Sequence, residues 1–231
     1  MIKSSKMMAF FKANNFMVLC VMLCLLLISL GFPERNRTLF KLLFPVGLVL
    51  VSGASAISIS TGRRQYIYAY VLAGTAGLMQ LLSIFFNPIW FMDLFLVITV
   101  VFYGYILWRI LHHLLHTVEV NQNTFYAAIS GYLLIGICSA LLVIALVETT
   151  ENAYTNLAMG DLRSAFYYSF MTLTTIGYGD ISPVHPMGRV LAMFVGMLGQ
   201  FYLAVVMAIL ISKYTANISV PTEKKHFGKK E

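Results

Sequence analysis

Residues 172–180 read Thr-Leu-Thr-Thr-Ile-Gly-Tyr-Gly-Asp. Threonine hydroxyls lead, two glycines alternate with larger residues, and a carboxylate follows. Glycine accepts backbone dihedrals that a Cβ resists, so such a run can point successive main-chain carbonyls one way. Carbonyl dipoles are strong yet uncharged. Stacked rings of them can replace the hydration shell of a cation without trapping it, as full carboxylates would. The chemistry on offer is ion coordination, with no bond made or broken. Elsewhere no nucleotide loop, metal-hydrolase motif or catalytic triad stands out, which argues against an enzyme and against a cofactor.

Other side chains able to do chemistry are fewer. His112, His113 and His116 cluster behind Arg109. Residues four apart share a helix face, so a metal site fits. Histidine titrates near neutrality, so a pH sensor fits too, and a solvated helix end is the simplest reading of all. Glu148, Glu151, Asp161 and Asp180 surround the 172–180 run with negative charge, which would raise the local cation concentration. Cys20, Cys24 and Cys138 all lie in apolar runs. An odd number so placed is no disulfide framework, and they read as small hydrophobes.

The elements that must position this run are membrane helices. The chain has 231 residues, 59% hydrophobic and 11% charged, where a soluble domain carries about 25% charged residues. The net charge of +7 does not indicate nucleic acid, because the lysines and arginines gather at the ends and in short loops. Apolar segments of spanning character fall at about 15–30, 39–58, 66–86, 89–111, 124–147 and 187–213. Lysines at 3, 6 and 12 before the first segment also fit a cleavable leader with a weak site at 29–31, but the spans that follow favour a retained helix. Asp161 is placed to cap a short helix over 162–174. That helix cannot span, so it reads as re-entrant. The expected fold is all-α, with six transmembrane helices and a re-entrant helix and loop between the fifth and sixth. Residues 1–120 would form a four-helix transmembrane domain, 121–214 a pore domain, and 215–231 a short basic tail.

Thr-Ile-Gly-Tyr-Gly at 175–179 is a near-copy of the Thr-Val-Gly-Tyr-Gly filter loop. With spans on both sides, the chain resembles the potassium channel family, in particular its six-transmembrane members. The likeness is strong over 125–214 and rests on span count before that. It implies a homotetramer, since four strands must line one axis and the chain holds a single copy. It implies K⁺ as the transported ion, bound by Thr175, Ile176, Gly177, Tyr178 and Gly179. Thr174, Asp180, Tyr167 and Tyr168 would support the filter from behind, with Tyr168 expected to bond Asp180. Relatives often carry two tryptophans where Tyr167 and Tyr168 stand, and some carry a buried carboxylate where Met171 stands. Gly196 and Gly199 are hinge candidates by the same resemblance, or serve close packing. Gln200 beside them is a rare polar residue for a span, able to bond between subunits or to support the filter. Val205, Ala208, Ile209 and Ser212 are candidates for an inner gate, though their spacing equally fits subunit packing.

Most lysines and arginines lie on the inner side if both termini are cytoplasmic, which is the expected orientation. The fourth segment carries one arginine, Arg109, and no ladder of the kind a voltage sensor needs. A short chain of this make-up suggests a bacterial or archaeal inner (plasma) membrane. A non-selective cation channel and a non-conducting scaffold or regulatory subunit are the alternative functions.

Overall fold

The computed structural model describes residues 15–31, 37–59, 71, 73–75, 77–78, 89–117 and 121–218. Six helices are described: α1 (Asn15–Ser29), α2 (Arg37–Ile59), α3 (Ile89–His116), α4 (Gln122–Thr149), α5 (Leu162–Leu173) and α6 (Pro186–Ile218). Two short strands, β1 (Tyr154–Thr155) and β2 (Ser182–Pro183), pair antiparallel, with Tyr154 opposite Pro183 and Thr155 opposite Ser182. The fold is all-α and multi-span. Among the described residues three helical stretches are long and apolar enough to cross a membrane: Leu96–His116, Gln122–Thr149 and Pro186–Thr215. α1 and the Phe44–Ser55 part of α2 are apolar but shorter. The third expected segment, 66–86, falls mostly outside the described residues; those within it that are described, 71, 73–75 and 77–78, are helical.

α4 is the centre of the bundle and packs against α1, α3, α5 and α6. Its small residues make this possible: Ala127, Ala128, Gly131, Gly136 and Ala140 are all buried, and small residues let helix backbones approach closely in lipid. At Gly131 a methyl group would overlap the Tyr202 hydroxyl of α6. That hydroxyl instead donates to the Ala128 carbonyl at 2.7 Å. The start of α4 is set locally. Asn121 caps it in a reciprocal box with Thr124, two residues earlier than the apolar run suggests.

α3 shows a clear division of faces. Thr99, Phe102, Tyr103, Ile106, Ile110 and Leu114 are buried, whereas Val97, Val101, Trp108 and Leu115 are exposed. The first set recurs at three and four residues, the helical repeat. An outer face that is still apolar suits lipid rather than water.

Candidate functional site

The site begins with a helix too short to span. Asp161 accepts from the Ser164 backbone N–H at 3.1 Å, capping α5 as expected. At 12 residues, α5 is about 18 Å long, against a hydrocarbon core of roughly 30 Å. Ala165, Phe166, Ser169 and Leu173 bury one side of it. Phe166 meets Phe44 of α2 edge-on at 5.5 Å. The helix stops at Thr174, whose hydroxyl turns back to the Phe170 carbonyl at 2.7 Å.

Beyond this stop the backbone is held by its own N–H groups. Thr175 N–H donates to the Thr172 carbonyl and Gly177 N–H to the Met171 carbonyl, each at 3.1 Å. Positive φ recurs at every second residue: 60° at Thr175, 52° at Gly177 and 81° at Gly179. A methyl group at Gly177 or Gly179 would meet nothing within 4 Å. Glycine is therefore required there by conformation, not by space. Thr175 has no such freedom. A β-branched residue at positive φ is strained and must be held by its surroundings. Residues 175–180 are all exposed.

The outer end of the loop is tied to the segment after α4. The Asn156 amide donates to the Asp180 carbonyl at 2.8 Å. Thr155 and Ser182 exchange a hydroxyl–carbonyl bond of 3.2 Å and an amide–hydroxyl bond of 3.0 Å. The tyrosine beside the Asp180 side chain is Tyr167, not Tyr168 as expected. Tyr168 points the other way. Its hydroxyl lies toward Thr172 and its ring stands edge-on to Tyr154 at 5.0 Å. The two residues are consecutive, so about 100° of helix separates them, and α5 buries the Tyr168 side against its neighbours. Tyr154 is itself buried, and its hydroxyl has no hydrogen-bond partner among the described residues. Burial pushes its pKa above the ordinary phenol value, so it stays neutral. Of the acidic residues around the loop, Glu148 accepts from the Gly160 N–H at 2.9 Å and Asp161 caps α5.

The end of the loop next to α5 is packed against α6. The Leu173 carbonyl accepts from the Tyr132 hydroxyl at 3.3 Å. Gly199 lies directly against it: a methyl group there would overlap the Leu173 oxygen. A methyl group at Gly196 would meet no atom outside its own helix nearer than the Thr172 oxygen, at 3.9 Å. α6 runs through both glycines as one helix. Close approach accounts for Gly199; nothing packs tightly at Gly196. Further along, Tyr202, Val206 and Leu210 face the bundle, while Phe201, Val205, Ala208 and Ser212 form the opposite, exposed stripe. Ile209 sits at the border, half-buried. Lys213 turns toward α3, where its ammonium donates to the carbonyls of Leu114, Leu115 and Thr117.

The histidines do not gather into a metal site, and no group of three metal-binding side chains occurs among the described residues. His112 and His116 stack at 4.0 Å, and His113 lies against Phe16 of α1 at 5.0 Å. Tyr132, Asn156 and Lys213 were not legible as site residues. Each acts on a partner 24 or more positions away, and no local pattern marks it.

A family model described as an ion channel matches residues 66–216. The chain is 31% identical over 97 residues to the inward rectifier potassium channel Kirbac3.1 of Paramagnetospirillum magnetotacticum, covering 42% of this chain and 32% of that one. It is 23% identical over 116 residues to the potassium voltage-gated channel protein shk-1 of Caenorhabditis elegans, covering 49% of this chain and 20% of that one. It is 30% identical over 100 residues to the human potassium voltage-gated channel subfamily KQT member 4, covering 43% of this chain and 14% of that one. The aligned part is thus about a third or less of each relative's length. No solved structure matches significantly.

Proposed function

This chain belongs to the ion channel family, and from that premise we propose that it is a potassium-selective channel, working as a homotetramer that conducts K⁺ passively. The observation that carries the reading is the alternation of positive φ at Thr175, Gly177 and Gly179. Left-handed and ordinary residues in strict alternation turn consecutive carbonyls to the same side. Four such strands about one axis give stacked oxygen rings, which substitute for the water around a K⁺ ion. The lining oxygens are those of Thr175, Ile176, Gly177 and Tyr178, with the Thr175 hydroxyl closing the inner end and Gly179 supplying the last turn. The Ile176 and Tyr178 side chains, exposed on the protomer, face neighbouring copies.

Other parts of the chain follow from this reading. The C-terminal end of α5 points at the water-filled cavity, where its dipole favours a cation. Thr174, Asp180, Tyr167 and Tyr168 brace the filter. Gly196, where nothing packs tightly, allows α6 to bend while Gly199 serves close packing, and Val205, Ala208, Ile209 and Ser212 narrow the inner mouth, where an apolar ring gates by dewetting. Six spans place both termini in the cytoplasm of a bacterial or archaeal cell. Residues 1–120 form the N-terminal bundle, 121–214 the pore and 215–231 a basic tail.

Purified protein in liposomes tests this by K⁺ and Na⁺ flux. Flux of K⁺ well above Na⁺, lost in Gly177→Ala, is the expected result. Equal flux of the two ions returns the non-selective channel, and no flux returns the scaffold. A particle mass other than that of four chains removes the tetramer.

A further inference from the structure

We propose that Gln200 positions the innermost ion site by fixing the Thr175 hydroxyl. The inference rests on reading 175–179 as the filter. Its own observations are separate. The Gln200 side-chain amide lies 3.4 Å from the Thr175 hydroxyl, oriented to donate. The approach is enforced. Gly199 brings α6 onto the Leu173 carbonyl with no room for a methyl group, and the Tyr132 hydroxyl holds the same oxygen from the α4 side at 3.3 Å. The next residue along α6 is thereby set beside the foot of the loop. Gln200 is exposed on the protomer, on the side that also presents the filter. A glutamine in a membrane helix needs protein or water to face, and here it has a specific acceptor.

The chemistry follows from the hydroxyl's inventory. A threonine oxygen offers two lone pairs and one rotatable proton. Donation from Gln200 occupies one lone pair and sets the direction of the other. Thr175 itself sits at a φ of 60°, where a β-branched residue is strained, so an added tether on its side chain matters more than it would on a relaxed one. The free lone pair is then aimed before the ion arrives, and the site loses less entropy on binding. Gln200 does not touch the ion. It acts through Thr175.

Ba²⁺, close to K⁺ in radius and doubly charged, is a probe for the innermost site. Wild-type protein and Gln200→Leu are compared in planar bilayers with Ba²⁺ added to either side in turn. Because Gln200 acts on the ion only through Thr175, its loss is expected to weaken block from the Gln200 side by about five- to tenfold, the size of one neutral hydrogen bond in all. Block from the opposite side should stay unchanged. In a Thr175→Ala background the Gln200→Leu change should add nothing, since the tether has lost its acceptor. Gln200→Met serves if the leucine variant fails to assemble. Unchanged inner block in a variant that still conducts overturns the proposal, and so does an equal change from both sides, which would mark a general loosening of the loop. A wild-type protein that carries no K⁺ removes the channel reading as well, so the two failures are distinguishable.

Discussion

The ammonium of Lys213 on α6 lies 2.9 Å from the carbonyl oxygen of Leu114, at the last turn of α3. The same ammonium reaches the carbonyls of Leu115, at 2.7 Å, and Thr117. These are the groups that the end of a helix leaves without partners. A cation there also meets the negative end of the helix dipole. The contact ties α6 to the end of α3 through one side chain.

Lys213→Met should therefore loosen that joint. Lys213 is half-buried, and hydrogen bonds to charged groups contribute about 1.5–3 kcal/mol where they are shielded; partial exposure lowers this to about 1–2 kcal/mol. The expected outcome is a lower melting temperature of the solubilised protein, partly restored by Lys213→Arg. A methionine variant that melts with the wild type would show that the contact contributes nothing.

The two glycines of α6 should part company. Gly199→Ala pushes a methyl group into the Leu173 carbonyl, and overpacking of this kind costs about 1–3 kcal/mol. Gly196→Ala meets only an atom at 3.9 Å and replaces a poor helix former, which favours the helix by up to about 1 kcal/mol. Thermal melts of both variants, with ion flux beside them, check the contrast. Equal tolerance would mean that α6 is free to back away from α5.

Two tyrosines in adjacent positions should also differ. Tyr167→Phe removes the hydroxyl beside the Asp180 carboxylate and should shorten the conducting lifetime of the loop. Tyr168→Phe leaves Asp180 untouched and removes only a hydroxyl near Thr172. Single-channel recording distinguishes them, and a larger effect at position 168 would reverse the assignment. Asn156→Gly keeps the positive φ of 55° while deleting the amide that holds the Asp180 carbonyl. It should act in the same direction as Tyr167→Phe.

Tyr154→Phe is the opposite case. Its hydroxyl is buried without a hydrogen-bond partner among the described residues, so removing it relieves an uncompensated desolvation. Stability should be unchanged or rise by about 1 kcal/mol, measured as melting temperature. A clear loss would reveal an acceptor or a bound water at that hydroxyl.

The left-handed turns at Gly177 and Gly179, the Asp161 cap and the ends of five helices were legible in the sequence, for one physical reason. Each is written in backbone requirements or side-chain bonds that act within a few residues: glycine where φ is positive, aspartate where a first-turn N–H is open, an apolar run where lipid replaces water. The side to which α5 turns its tyrosines is not of that kind. Tyr167 and Tyr168 have the same chemistry and neighbouring positions, and only the docking of α5 on α4 decides which one meets Asp180. Nor does anything near Lys213 announce that it will end a helix 98 positions earlier, or that Gly199 will set Gln200 beside Thr175. Those partners are brought together by packing across the whole bundle, and a side chain's local pattern carries no record of what arrives from so far along the chain.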